Sequence, residues 1–295
     1  MITAIRLINY KCFEDSGWIN LNPLTLLYGY NSSGKSSVLK VLLMLKQSLN
    51  SASQTTPFVF SDENGVDLGN YKDVVYSGLT DRQIEIHLKL KIQRAEERGS
   101  ELFTIRIRLA YDYKTKINIQ TLYEIRDESK IIFSLSREPS MNAEFNWHSD
   151  TYPNFFASSE NIQLGWVNFL PIISGHFSQF SKEFHSVTST SMLINNALRS
   201  YFYNLINIGP LRTVPKRNYR FTGENPTEVG NQGQNTYNLL YNNYEITNNQ
   251  VKANDQLIHK VNKWLSGYHY ILELDKISDE ITEFSLIDTR SKNKI

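Results

Sequence analysis

Gly29-Tyr30-Asn31-Ser32-Ser33-Gly34-Lys35-Ser36 decides the reading of this chain, because it satisfies G-x-x-x-x-G-K-[ST] at every constrained position. Each residue type answers a physical demand. The glycines let the backbone curl until successive N–H groups face inward as an anion nest. A helix starting near Lys35 adds free amides and the positive end of its dipole. Lys35 brings a mobile ammonium to the β- and γ-phosphates of a nucleotide, and the Ser36 hydroxyl is placed to ligate Mg²⁺. The nucleotide-binding candidates are therefore Gly29, Tyr30, Asn31, Ser32, Ser33, Gly34, Lys35, Ser36 and Ser37. Lys35 is also the catalytic candidate, and Ser36 the metal ligand.

Such a loop needs a buried strand before it and a helix after it. Leu24-Thr25-Leu26-Leu27-Tyr28, introduced by Pro23 and ended by Gly29, reads as a buried central strand. From Ser36 to Leu49 the pattern is helical, and Val38, Leu39, Val41, Leu42, Leu43, Leu45 and Leu49 cover more than one face, which predicts a largely buried helix. Ile2 to Asn9 alternates loosely and reads as a first strand.

Further out, Asp67 to Asp73 reads as a surface loop. Then period-two runs take over. Ile84, Ile86, Leu88, Leu90 and Ile92 alternate with polar residues, as do Phe103, Ile105, Ile107, Leu109 and Tyr111. Ile117 to Ile125 and Lys130 to Leu135 continue the pattern, with polar turns such as Glu96 to Gly99 and Asp112 to Lys116 between runs. This predicts an antiparallel meander with one wet face. Residues 137–200 hold many aromatics (Phe145, Trp147, Phe155, Phe156, Trp166, Phe177 and Phe180 among them) but no sustained period, and read as a mixed, partly helical insertion. Leu205 to Ile208 reads as a strand entering a loop. Asn235–Tyr244 and Asp255–Leu265 read as helices, the second capped by Asn254 or Asp255, and Tyr268–Leu274 and Ile281–Ile287 as strands.

Composition narrows the classes. The 295 residues carry a net charge of +1, with 40% hydrophobic and 21% charged residues, so nothing on average favours nucleic acid or a membrane surface. The longest apolar run, Val38 to Leu45, is broken by Lys40 and is too short for a membrane span. The N-terminus lacks the pattern of a signal peptide, and the single cysteine, Cys12, suits a reducing compartment, so the expected location is cytoplasmic. The six histidines show no ligand spacing, which argues against zinc. No nucleophile elbow is present, and Cys12 has no local catalytic signature.

The opening segment also resembles the start of ABC-type ATPase heads of the RecF, SMC and OLD kind: a first strand, an Asn9-Tyr10-Lys11-Cys12-Phe13 element, then strand, phosphate loop and helix. The Asn31-to-Ser37 version of the loop, with Asp67 to Gly78 and Ile208 to Leu240, is similar to a narrower bacterial group of AAA-type ATPases related to the ATPase subunits of anti-phage systems such as Septu and certain retrons. The resemblance spans roughly 1–80 and 205–270. It implies an α/β fold, a P-loop NTPase of ABC-ATPase type with an antiparallel β lobe and a partly helical insertion. It divides the chain into 1–80 (nucleotide-binding lobe with the phosphate loop), 81–136 (β lobe), 137–204 (insertion) and 205–295 (return to the ATPase core).

The same resemblance implies ATP and Mg²⁺ as cofactors and adds Lys11 as a nucleotide-binding residue. Asp67, Asn70 and Asp73 fall where a loop sensing the γ-phosphate is expected. It implies ATP-driven dimerisation, a homo-oligomer that is a head-to-head dimer or larger, and an effector partner such as a nuclease in bacterial defence. Two alternatives stay open: a DNA-repair or maintenance ATPase that binds DNA directly, for which Arg212, Lys216, Arg217 and Arg220 form the densest basic cluster, and a non-hydrolysing ATP-bound scaffold. A serine-containing signature segment and an apolar strand ending in Asp-Glu are not found. Tyr270 to Lys276 places Lys276 where the glutamate belongs and reads as an ordinary strand. The resemblance implies that these parts lie beyond Ile295, in a longer ATPase or the other half of a split one.

Overall fold

Period-two sequence becomes sheet wherever one face can be buried. The computed structural model describes all residues except 53–55, 63–64, 94–99, 141–142, 154–162, 175–181, 215, 217, 221–222, 251–256, 278–280 and 295. They form two compact units, Met1–Leu205 and Ile206–Ile295.

The first unit is built on β1 (Ile2–Tyr10), β2 (Phe13–Asp15), β3 (Ile19–Asn20), β4 (Ile84–Gln93), β5 (Ser100–Asp112), β6 (Ile117–Asp127), β7 (Lys130–Ser136) and β8 (Asn146–His148). Their order is β2-β1-β4-β5-β6-β7-β8, with β3 also on β1, and every described pair is antiparallel. The first strand therefore belongs to the meander, with Leu7 opposite Ile86. Ile5, Leu7, Ile86, Leu88, Ile105, Ile107, Ile125 and Phe133 line its dry face. Against them pack α1 (Lys35–Leu49), through Val38, Val41, Met44 and Leu45, and α3 (Lys182–Tyr203), through Phe184, Val187, Ile194, Leu198 and Phe202. α3 escaped the sequence reading because its stripe is one residue wide, set among Ser and Thr such as Thr188, whose hydroxyl donates back to the Phe184 carbonyl.

The insertion also holds a hairpin, β9 (Gln163–Val167) and β10 (Leu170–Ser174). Its two-residue turn, Asn168-Phe169, has φ of 49° and 61°, as a primed turn requires, without a glycine to announce it. The turn is held from outside. Asn168 donates to the carbonyls of Leu49 and Ser51 at the end of α1, and Phe169 stacks on Phe58 at 5.1 Å.

Two predicted strands are absent. Leu24–Tyr28 joins no sheet, and its backbone makes no hydrogen bond to any described residue. A strand apolar on both sides needs neighbours on both edges and both faces. None of the described residues supplies them, so Leu24, Leu26 and Tyr28 stand 77%, 76% and 94% exposed while only Leu27 leans on the core. Leu205–Ile208 likewise forms no strand, and Ile206 and Ile208 are exposed.

In the second unit β11 (Asn218–Arg220), β13 (Ile281–Asp288) and β12 (Tyr270–Lys276) form an antiparallel sheet in that order. With it go α4 (Thr236–Gln250) and α5 (Leu257–Ser266). Tyr219 stacks on Tyr237 at 4.8 Å with Phe284 edge-on to both. The Asn262 amide exchanges two hydrogen bonds with the backbone of Leu272, tying α5 to β12. The predicted apolar stripe of α5 is at best half-buried, with Trp264 exposed, and its expected cap at 254–255 lies outside the described residues.

Candidate functional site

Gly34 is the N-cap of α1 and the steric centre of the loop. Its φ is +92°, and a Cβ there would lie 2.5 Å from Phe13 Cζ and 2.6 Å from Cys12 Sγ. Only glycine meets both conditions. Gly29 (φ +147°) and Ser32 (φ 62°) complete the curl, and Ser33 N–H donates to the Tyr30 carbonyl at 3.3 Å. At the helix start, Ser37 and Val38 N–H both donate to the Gly34 carbonyl, at 3.0 and 3.2 Å. The amides of Gly34, Lys35 and Ser36 have no acceptor among the described residues, no side chain caps them, and the first turn holds no acid. Unpaired donors at the positive end of a helix form an anion site. Lys35 Nζ lies across the loop and donates to the carbonyls of Gly29 (2.9 Å) and Tyr30 (2.6 Å), and it forms no ion pair with a carboxylate among the described residues. These donors fit a nucleotide polyphosphate, and the Ser36 hydroxyl lines the same cavity as an oxygen donor for Mg²⁺.

That cavity is about 730 Å³. One wall is Asn31 to Ser37; the other is Lys11, Cys12, Lys72, Asp73, Val75, Ser77 and Gly78. Of the residues predicted to bind nucleotide, Gly29 and Tyr30 lie outside the lining and serve as acceptors for Lys35 instead. Lys11 does line it. Its φ is 52°, its N–H donates to the Val74 carbonyl at 2.6 Å and its Nζ to the Leu68 carbonyl at 3.2 Å, so it also holds the second wall in place. Burial, then the nearby Lys40, lower its pKa, while Asp73 and Asp67 act in the opposite sense.

Asp67, Asn70 and Asp73 lie where either a γ-phosphate-sensing loop or a plain turn is expected; their side chains bond within their own turn, and Asp73 also lines the cavity. Asp67 accepts from Gly69 N–H at 2.9 Å. Asn70 caps the one-turn helix α2 (Tyr71–Val74), accepting from Lys72 and Asp73 N–H, and Asp73 returns the bond by accepting from Asn70 N–H at 2.9 Å. This reciprocal cap satisfies the turn internally. Tyr71 anchors it below, its hydroxyl donating to the carbonyls of Arg82 and Leu109. Lys72 and Ser77, not the acids alone, reach the cavity. The stretch Asp67–Gly78 was visible in sequence, but which of its side chains would be consumed by the turn was not.

The remaining candidates disperse. Arg212, Lys216 and Arg220 are exposed in the second unit, and Arg217 lies outside the described residues. Phe145, Trp147 and Trp166 pack against the core, with the Arg137 guanidinium over the rings of Phe145 and Trp166, while Phe155, Phe156, Phe177 and Phe180 are not described. Among the described residues no three His, Cys, Asp or Glu side chains gather as a metal site. No helix among them is long and apolar enough to cross a membrane.

The polar face of the large sheet carries a closed ion network. Glu85 receives Arg108 at 2.8 Å, His87 at 2.7 Å and Arg106 at 3.4 Å, and Glu124 receives Arg106 and Arg126 at 3.0 and 2.6 Å. Burial alone would raise the Glu85 pKa. The His87 hydrogen bond and the charges of Arg108, His87 and Arg106 outweigh it and bring the carboxyl down to about 2.

A family model described as an AAA ATPase domain matches residues 1–294. No curated protein matches the chain. The matched span takes in the phosphate loop and both walls of the cavity, so the chain belongs to the AAA ATPase domain family, which points to binding and hydrolysis of ATP, usually with Mg²⁺.

Proposed function

We propose that this chain is the ATP-binding head of an ABC-type ATPase, which uses Mg-ATP to drive association of two heads and signals that state to a partner effector such as a nuclease. One observation carries the reading. Three consecutive amides, Gly34 to Ser36, without an acceptor among the described residues, and the Lys35 ammonium lie together at the start of a helix whose far side is rooted in the core. A bound triphosphate gives those donors their acceptors, and a γ-phosphate shared between two heads would shift an association equilibrium. The likeness of Asp67–Gly78 and Ile208–Leu240 to ATPase subunits of anti-phage systems supports a role in bacterial defence.

The cavity lining supports binding more directly than turnover. Asp73 is its one carboxylate among the described residues, and an oxygen of that group is held by the Asn70 cap. Titration of Mg-ATP into wild type and Lys35→Ala tests the assignment, with circular dichroism as the check on folding. Binding by wild type and none by the folded variant is expected; equal binding by both removes the phosphate loop from the function. Sedimentation with and without a non-hydrolysable ATP analogue tests the association, which is expected only with nucleotide.

A further inference from the structure

Resting on that reading, we infer that Lys72 is the residue by which this site distinguishes a nucleoside triphosphate from a diphosphate. Among the described residues the cavity is lined by three lysines, Lys11, Lys35 and Lys72, and by a single acidic residue, Asp73. The three cations are not equivalent. Lys35 is part of the loop and lies over it. Lys11 is partly buried, bonded to the Leu68 carbonyl, and under the influence of Asp73 and Asp67. The Lys72 ammonium is exposed and makes no hydrogen bond or ion pair with any described residue.

Its backbone is nonetheless well placed. The Asn70–Asp73 reciprocal cap fixes the turn that bears Lys72, the Tyr71 hydroxyl pins that turn to Arg82 and Leu109, and the Lys11 amide and the Tyr10–Val75 bridge close it against β1. Just beyond, Ser77 adopts φ 56°, an uncommon conformation for a residue with a Cβ, and with Gly78 (φ 67°) turns the chain along the cavity wall. A free cation on an ordered turn, facing an anion nest across an open cavity, has a phosphate group as its natural partner.

Charge selects which phosphate. A triphosphate carries one more negative charge than a diphosphate when both hold the same Mg²⁺. The amides of Gly34 to Ser36 and the Lys35 ammonium suffice for the charge the two nucleotides share. The surplus charge belongs to the terminal phosphate, and Lys72 is the unspent ammonium on the opposite wall.

The test is equilibrium binding of ADP and of a non-hydrolysable ATP analogue, each with Mg²⁺, to wild type, Lys72→Ala, Lys72→Arg and Lys35→Ala. Lys72→Ala is expected to lose roughly tenfold or more in affinity for the triphosphate, the scale of one charge-assisted hydrogen bond, and to keep ADP binding within about twofold. Lys72→Arg should recover most of the loss. Equal weakening of both nucleotides would assign Lys72 a role in shaping the turn and overturn the inference, as would unchanged binding of both. Failure of wild type to bind either nucleotide, or full binding by Lys35→Ala, strikes the phosphate-loop reading itself, an outcome separate from any result at Lys72.

Discussion

Phe13 presses its ring edge so closely against Gly34 that a methyl group on the glycine would lie 2.5 Å from Phe13 Cζ, with Cys12 Sγ at 2.6 Å on the same side. The end of β1 and the start of β2 therefore fix the height of the phosphate loop from below. Gly34→Ala combines this clash with a left-handed φ of +92°, a strain of about 1–3 kcal/mol in addition to the clash. The variant should stay folded, since the loop is peripheral to the core, and lose roughly tenfold or more in nucleotide affinity. Calorimetric titration checks it, and wild-type affinity would show that the loop does not need this geometry.

Ser36 lines the cavity with its hydroxyl free of described partners. Ser36→Ala should leave metal-free nucleotide binding almost unchanged and reduce the enhancement given by Mg²⁺ roughly tenfold, one lost oxygen ligand. Titrations in Mg²⁺ and in a chelator separate the two quantities.

Gln47 is buried on α1 and is a polar joint inside an apolar helix face. It donates to the carbonyls of Val59 (2.7 Å) and Val66 (3.2 Å) and accepts from Val66 N–H (2.8 Å). Gln47→Leu leaves the Val59 carbonyl and the Val66 N–H without this partner, at about 1–3 kcal/mol for each group that water cannot reach, while the Val66 carbonyl keeps its bond from Asp62 N–H. Urea unfolding should show the loss as a lower midpoint; an unchanged midpoint would mean that water replaces the amide.

Glu85 makes stability depend on acid. Its folded pKa of about 2 lies below the ordinary 4.5, so its contribution is complete above pH 4.5 and is lost as pH falls toward 2. Glu85→Gln should destabilise the protein near neutrality by a few kcal/mol, at about 1.4 kcal/mol per pKa unit, and the gap from wild type should narrow through that window. Denaturation series at several pH values across it provide the check. A gap independent of pH would exclude the carboxylate charge as its source.

Leu26 gives the opposite kind of prediction. With its side chain 76% exposed, Leu26→Ser should change the unfolding free energy by about 0.5 kcal/mol or less, as at ordinary surface positions. A buried leucine would cost several times more. A large loss would show that Leu24–Tyr28 is covered in solution.

The meander was legible because alternation over β4, β5 and β6 is long and unbroken, and a slip of one residue would turn every side chain to the wrong face. The phosphate loop was legible because its chemistry is local: two glycines, a lysine and a hydroxyl within eight residues dictate the curl and the donors. α3 and the β9–β10 hairpin were not, since their signals are a one-residue stripe and a turn without glycine, both held in place by residues far along the chain.

By itself, then, the order of residues determined the anion nest, its helix and the antiparallel sheet, because each rests on spacing between near neighbours. Tertiary structure alone decided that Asp67, Asn70 and Asp73 shape a turn while Lys72 reaches the cavity, and that Leu24–Tyr28 stands exposed. The physical reason is the same in both cases. A side chain's intrinsic chemistry states what it can bond to, but only the packed chain determines which partner arrives first.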